Sequence, residues 1–158
     1  MIPLKSEEDL ELMRVSSRIT SEALTYVWSL IEPGISTIML DEEIEKFIRS
    51  NNAIPAFKGL YGFPASACIS VNEEVVHGLP SKQKILKEGD IVSVDIGVEK
   101  NGFYGDAAFT FPVGEISEAK RKLMEVTFDA LFRGIEKAKD GLRLQDISYA
   151  IQSYAESF

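Results

Sequence analysis

The sequence predicts an α+β protein in which a mainly antiparallel sheet carries helices on one face. Amphipathic helical patterns occupy both ends of the 158-residue chain, and short alternating patterns typical of β-strands occupy its middle. The order helices, strands, helices is typical of α+β architectures. The length and the 45% hydrophobic content suit one domain with a substantial core.

Two helices are predicted at the start of the chain. Ser6, followed by three acidic residues, has the form of an N-cap with an acidic first turn. Apolar residues follow at helical spacing as far as Pro33-Gly34, where that helix should end. A second helix is predicted from about Thr37 to Asn51-Asn52.

The middle of the chain predicts strands joined by tight turns. Residues 68–71 are one strand candidate, and Val75-Val76 are another. Residues 91–98 and 103–111 flank Asn101-Gly102, which is the strongest short-range indication of a β-hairpin. These strands should form a mainly antiparallel sheet.

The first strand of this hairpin has two unlike faces. Its apolar face should pack on the helices and consists of Val92, Val94, Ile96 and Val98. Its other face carries Ser93, Asp95 and Gly97, and we expect this face to hold the functional site.

Two more helices are predicted after the hairpin. Ser117 is a candidate cap for the first, and residues 139–141 form a break before the second. The last helical pattern reaches Phe158 without a stop signal, so we expect further sequence to follow in the intact protein.

Two aspartates are predicted to share one face of the hairpin. If Asn101-Gly102 form a two-residue loop, Gly97 pairs with Asp106, and Asp95 points to the same side. A four-residue loop would instead place the two acids directly opposite each other. Carboxylates this close repel unless a proton or a cation lies between them, so a divalent metal site is predicted, with a solvated sheet face as the alternative. Oxygen ligands favour Mn, Mg, Fe(II) or Co over a thiolate zinc site.

Three other residues are candidates for the site. His77, the single histidine, is either a turn residue bonded to nearby backbone or a proton donor and substrate contact. Cys68 is either a small buried hydrophobe or part of an apolar pocket. Phe63 and Tyr61 are either loop anchors or recognition residues. One histidine does not support a Ser/His/Asp triad, and no phosphate-cradling glycine motif occurs.

Charge and cysteine content exclude several classes of protein. The net charge of -8 argues against a nucleic-acid partner. A single cysteine excludes an internal disulfide and fits a reducing compartment. No segment has the apolar core of a signal peptide or the roughly 20 apolar residues of a membrane helix. We therefore expect a cytoplasmic protein with no membrane partner.

At these residues the sequence resembles bacterial type I methionine aminopeptidases. His77, the two aspartates and the Asn-Gly hairpin coincide with that family's motifs, in order and with its spacing, and the likeness covers essentially the whole chain. The segments that carry the resemblance are residues 55–64, 68–80, 88–95, 105–108 and 110–111.

The resemblance implies a pita-bread (creatinase/aminopeptidase) fold, of which this chain would form half or more. It implies metal-dependent removal of the initiator methionine from nascent proteins with a small second residue. It also implies two divalent ions (Co, Mn, Fe(II) or Zn), with Asp95 binding one ion and Asp106 bridging both. By the same resemblance His77 is a catalytic, substrate-contacting residue, and Phe63 and Cys68 help form the methionine pocket. The family usually has tyrosine at the position of Phe63, so a pocket hydroxyl should be absent here.

The resemblance further predicts that residues 1–158 are the N-terminal portion of the catalytic domain. The family takes three more metal ligands and a second catalytic histidine from its C-terminal half, beyond this sequence. The chain alone is therefore expected to be inactive and to self-associate, whereas the complete enzyme is expected to be a monomer. Its partners would be nascent polypeptide N-termini, with the ribosome as a second candidate.

Two other functions remain open from the sequence. One is a non-catalytic binding module or pseudoenzyme, which a lack of divalent-ion binding would favour. The other is an Xaa-Pro-type aminopeptidase of the same fold, which the likeness over residues 68–80 disfavours. Activity on Met-Ala compared with Xaa-Pro peptides distinguishes the two peptidases.

Overall fold

Two helices precede the sheet, and a serine caps the first turn of each. Helix α1 spans Glu7–Trp28, and the Ser6 and Asp9 side chains each accept a hydrogen bond from the other residue's backbone N–H. Helix α2 spans Thr37–Ser50, where the Ser36 hydroxyl accepts from a backbone N–H of the first turn. Both predicted helix starts are confirmed. Helix α1 ends at Trp28, before Pro33-Gly34. The apolar residues between the helix end and Pro33 lie in a turn and pack against the core.

The sheet has one long central strand with partners on both edges. Strand β3 (Ile91–Lys100) pairs along its whole length with β4 (Phe103–Pro112). Two short strands share its other edge. Strand β1 (Ile54–Pro55) pairs with the second half of β3, and strand β2 (Ala67–Val71) pairs with the first half. All pairings are antiparallel, which confirms the predicted sheet.

The turn between β3 and β4 fixes the pairing of the two strands. Lys100 pairs with Phe103, so Asn101 and Gly102 form a two-residue loop, and the four-residue alternative is excluded. The backbone φ angles of Asn101 and Gly102 are 54° and 80°, as a type I′ hairpin turn requires.

The hydrophobic core lies between the two helices and one face of the sheet. The apolar face of β3 is fully buried there, as predicted. Complete burial of one such side chain stabilises the fold by about 1.5–3 kcal/mol, so this packing decides which face of the hairpin points away from the helices. The principal helix residues in the core are Ile19, Ala23, Val27, Leu40, Ile44 and Ile48.

Helix α1 lies directly on β4 at Gly105. A Cβ at Gly105 would lie 2.6 Å from backbone atoms of Ser16, and only glycine permits this approach. The Ser16 hydroxyl donates a hydrogen bond to the Phe103 carbonyl oxygen at 2.9 Å. The second strand of the hairpin is therefore held against the helix as well as against β3.

The segment after β2 differs from the prediction. Val75 and Val76 do not form a strand, and their side chains are 86% and 64% exposed. The outer edge of β2 is instead met by Gly78, whose carbonyl oxygen accepts a hydrogen bond from the Ile69 N–H at 2.8 Å. Strand β1 was not predicted because it has only two residues and ends in proline.

The structure, a computed structural model, describes residues 4–158, and the chain divides into two compact units after Glu115. The second unit, Ile116–Phe158, contains helices α3 (Glu118–Ile135) and α4 (Leu144–Ala155). The Ser117 hydroxyl caps α3 and Gly141 lies in the break before α4, as predicted. Within residues 4–158, no helix combines the length and apolar character that a membrane crossing needs.

One buried carboxylate joins α2 to the start of β2. Asp41 accepts hydrogen bonds from the backbone N–H groups of Ser66 and Ala67, at 2.9 and 2.8 Å. Burial raises the pKa of Asp41, and the two N–H groups act in the opposite direction. Since the folded-state pKa is the higher one, the contribution of Asp41 to stability falls as pH rises through that pKa.

Replacing Asp41 by leucine should lower the free energy of unfolding by about 2–4 kcal/mol, because two buried N–H groups lose their acceptor. Asp41→Asn keeps an acceptor oxygen and should cost less, about 1 kcal/mol. Urea unfolding at pH 7, followed by the fluorescence of Trp28 in α1, measures both variants. Equal losses in the two variants would contradict this role for Asp41.

Candidate functional site

The hairpin brings two carboxyl groups together on the face opposite the helices. Asp106 pairs with Gly97, and Asp95 lies two residues before Gly97 on the same side of β3. The Asp95 carboxyl group lies close enough to Asp106 for the charge of Asp106 to act on it. The two side chains therefore converge instead of pointing to opposite surfaces.

The surroundings of Asp95 disfavour its ionised form. Burial raises the pKa of Asp95, and the charge of Asp106 raises it further. His77 lies close enough to act in the opposite direction, lowering the same pKa. A carboxyl pair in this condition is stabilised by a shared proton or by a bound cation.

The two carboxylates fit part of a divalent-cation site. Their oxygens are hard ligands of the kind that Mg, Mn and Fe(II) accept. Within residues 4–158, however, no group of three or more His, Cys, Asp or Glu side chains is arranged to hold a metal ion. Asp95 and Asp106 would therefore supply two ligands, and water, substrate or other protein groups would complete the coordination.

A pocket of about 570 Å³ opens beside Asp95. It places His77, Phe63 and Cys68, all candidate substrate contacts from the sequence, around one space. Most of its wall is apolar, and His77 and Asp95 contribute an imidazole and a carboxyl group. Other residues lining the pocket are Phe57, Leu60, Tyr61, Gly62, Pro64 and Leu79.

Cys68 forms part of the pocket wall next to the acids. It pairs with Asp95 across the β2–β3 ladder, and its side chain is buried. Burial raises the pKa of the Cys68 thiol to about 11, and the charges of Asp95 and Asp106 contribute to the rise. The thiol therefore stays protonated at neutral pH, which suits an apolar wall better than a nucleophile.

Phe57 is a pocket residue that the sequence did not single out. Its ring lies directly against Gly97, where an added Cβ would be 2.4 Å from a ring carbon. The space that Gly97 leaves beside the acids, because it has no side chain, is partly filled by Phe57. Nothing local in the sequence connects these residues, since the contact arises only when β1 pairs with the end of β3.

The sequence and the fold match known proteins. Residues 11–158 match the sequence model of metallopeptidase family M24. The methionine aminopeptidase of Clostridium acetobutylicum is 52% identical over 100% of this chain and 63% of its own length. Methionine aminopeptidase 1 of Bacillus subtilis is 49% identical over 99% of this chain and 63% of its length. The chain thus spans less than two thirds of these relatives.

Solved structures extend the likeness to the fold. The crystal structure of methionine aminopeptidase from Rickettsia prowazekii superposes with a TM-score of 0.97 at 41% identity, covering 99% of this chain and 63% of that one. The Xaa-Pro dipeptidase from Bacillus anthracis gives a TM-score of 0.82 at 23% identity, over 98% of this chain and 42% of that one, and shares the fold alone. These neighbours have the pita-bread architecture, so the predicted fold class is confirmed.

Gly97→Ala should force the Phe57 ring to move and should destabilise the fold by about 1–3 kcal/mol, as overpacking does. The shorter side chain of Phe57→Leu should relieve the contact in the double variant. A double-mutant cycle by urea unfolding should therefore give a coupling of at least about 0.5 kcal/mol. Additive effects would show that the two residues do not touch.

Alkylation of Cys68 by iodoacetamide should be slow at pH 8 in the folded, chelator-treated chain. The rate should still be rising near pH 11, because only the thiolate reacts and burial raises the thiol pKa to about 11. Intact-mass measurements across pH, with the urea-unfolded chain as control, test this. A folded-state rate that levels off near pH 9 would contradict it.

Proposed function

Because this chain belongs to metallopeptidase family M24, we propose that it supplies the substrate pocket and two metal ligands of a methionine aminopeptidase. The reaction is hydrolysis of the first peptide bond of a polypeptide that begins with methionine and has a small second residue. The observation that carries this proposal is the convergence of Asp95 and Asp106 beside an apolar pocket that His77 also lines.

The pocket has the chemistry that a methionine side chain requires. Aromatic rings from Phe57 and Phe63 and the protonated thiol of Cys68 give it an apolar, polarisable wall. A thioether makes favourable contacts with aromatic rings, and its unbranched chain adapts to an irregular cavity. Asp95 and His77 mark the polar end, where the peptide to be cut would lie.

Asp95 and Asp106 are the residues that would hold the divalent ions. We propose two ions, drawn from Co, Mn, Fe(II) and Zn. Bound there, divalent ions supply Lewis-acid polarisation and an activated water for peptide hydrolysis. His77 would contact the substrate next to the scissile peptide and stabilise the negative charge that develops on its oxygen.

The cysteine content and the net charge of the chain support a cellular location and a class of partner. A chain with a single, free cysteine fits a reducing compartment, so we place the protein in the cytoplasm. Its partners would be the N-termini of nascent polypeptides, presented at the ribosome. The net charge of -8 supports a protein partner over a nucleic acid.

The relatives help to rank the two peptidase activities. The proteins that match at 52% and 49% identity are methionine aminopeptidases, whereas the Xaa-Pro dipeptidase matches at 23%. We therefore favour methionine over an Xaa-Pro substrate. A non-catalytic binding module is the second candidate, because residues 4–158 contain no three-ligand metal cluster.

Asp106→Ala should weaken Mn²⁺ binding to the chain by at least tenfold, measured by calorimetry at pH 7.5. The exposed Asp140 lies in the second unit, so Asp140→Ala is the matched control and should bind as the wild type does. In the complete protein, Asp106→Ala should lower kcat on Met-Ala peptides by roughly a thousandfold or more, which several kcal/mol of lost charge stabilisation implies.

Full turnover by Asp106→Ala at saturating Mn²⁺ would refute its role as a ligand. Cleavage of Xaa-Pro but not Met-Ala peptides would favour an Xaa-Pro-type aminopeptidase. Absence of both Mn²⁺ binding and turnover in the wild type would favour the non-catalytic module.

A further inference from the structure

The backbone directly after His77 is fixed to β2 by two hydrogen bonds. The Gly78 N–H donates to the Ser70 hydroxyl oxygen at 3.0 Å, and the Gly78 carbonyl oxygen accepts from the Ile69 N–H at 2.8 Å. A Cβ at Gly78 would lie 2.2 Å from the Ile69 carbonyl oxygen. The loop therefore lies against the strand more closely than any residue with a side chain would allow.

Ser70 occupies the position on β2 that connects this loop to the carboxyl pair. It lies two residues after Cys68, on the same face of the strand, and it is buried, with 4% exposure. Cys68 in turn pairs with Asp95. Strand β2 therefore carries both Cys68, the partner of Asp95, and the Ser70 hydroxyl group that accepts the hydrogen bond from Gly78.

His77 has a backbone conformation that needs such support. Its φ angle is 59°, in the left-handed region, which is unfavourable for a residue other than glycine. An unsupported loop would relax from this conformation and turn the imidazole. The hydrogen bond from Gly78 to Ser70 opposes that relaxation at the adjacent residue.

A second contact closes the base of the same loop. Lys84 donates to both carboxylate oxygens of Glu74, at 2.6 and 2.8 Å, and Glu74 also accepts from the Val71 N–H at 2.8 Å. Val71 and Glu74 precede His77 in the chain, and Lys84 follows it. The contacts among these three residues hold the two ends of the loop together, while Ser70 holds the His77-Gly78 segment within it.

We propose that Ser70 is a positioning residue for His77: its hydroxyl holds the His77-Gly78 segment on β2 and so directs the imidazole into the pocket beside Asp95. The catalytic part of this inference rests on the proposed function, in which His77 contacts the substrate. Ser70 does not line the pocket itself, so its effect on the reaction is transmitted through His77.

The positioning can be measured without metal or substrate. Ser70→Ala removes the acceptor, so hydrogen exchange of the Gly78 amide should become at least tenfold faster, and the NMR order parameter of the His77 backbone should fall. Ser70→Thr keeps a hydroxyl and should retain protection. Wild-type exchange and order in Ser70→Ala would overturn the proposal.

Ser93→Ala is the matched control on the same sheet. Ser93 pairs with Ser70 across the ladder, and its hydroxyl bonds to that of Thr110 at 2.7 Å. This variant also loses one serine hydrogen bond, but it leaves Gly78 untouched. An equal loss of Gly78 protection in Ser93→Ala would attribute the effect to general weakening of the sheet and would also overturn the proposal.

The consequence for catalysis is tested in the complete protein. Ser70→Ala should lower kcat on a Met-Ala peptide by 10- to 100-fold, while KM and Mn²⁺ affinity change less than twofold. In a His77→Ala background the same substitution should have no further effect on kcat. Equal losses of kcat in both backgrounds would overturn the positioning role.

If the wild type shows neither turnover nor Mn²⁺ binding, the proposed function fails. The hydrogen-exchange measurements alone then decide whether Ser70 holds the His77-Gly78 segment.

Discussion

The pairing of β3 with β4 is the constraint on which the site depends. A slip of one residue between the strands would transfer Asp106 to the face that packs on the helices, because side chains alternate along a strand. An unpaired carboxylate would then enter the hydrophobic core, and Gly105 would no longer lie beneath α1. The turn at Asn101-Gly102 prevents this by joining Lys100 to Phe103. One local feature therefore buries the apolar face of the hairpin and brings the two acids together.

Bringing two acids together has a thermodynamic consequence for the fold. An acid whose pKa is higher in the folded state than in the unfolded state stabilises the fold at pH values below the unfolded-state pKa. This contribution is lost as the pH rises through the folded-state pKa. Asp95 is such a group, owing to burial and to Asp106. Above that value the ionised Asp95 therefore weakens the fold, and a bound cation would offset this. Stability and cation binding are coupled through the same two oxygen-bearing groups.

Features encoded within a few residues were predictable from the sequence, and features created by tertiary contact were not. The serine caps, the Asn-Gly turn and the shared face of Asp95 and Asp106 follow from local rules, and the structure has them all. Val75-Val76 looked like a strand because two β-branched residues favour extended backbone. The edge of β2 is met by Gly78 instead. Phe57 could not be foreseen as a pocket residue, because its contact with Gly97 joins distant parts of the chain.

The pocket is formed by loops that touch the sheet at residues without side chains. Phe57 lies on Gly97, and the His77 loop meets β2 through Gly78. At such points a single methyl group would collide with a neighbouring ring or carbonyl, so the loop has little freedom to shift. Tyr61, by contrast, is fully exposed at the pocket rim, where the chain has room to adapt. The shape of the pocket is therefore set mainly at its contacts with the sheet, which is also where His77 and Asp95 lie. A change at the rim would alter access to the pocket, whereas a change at these contacts would alter the spacing between His77 and the carboxyl pair.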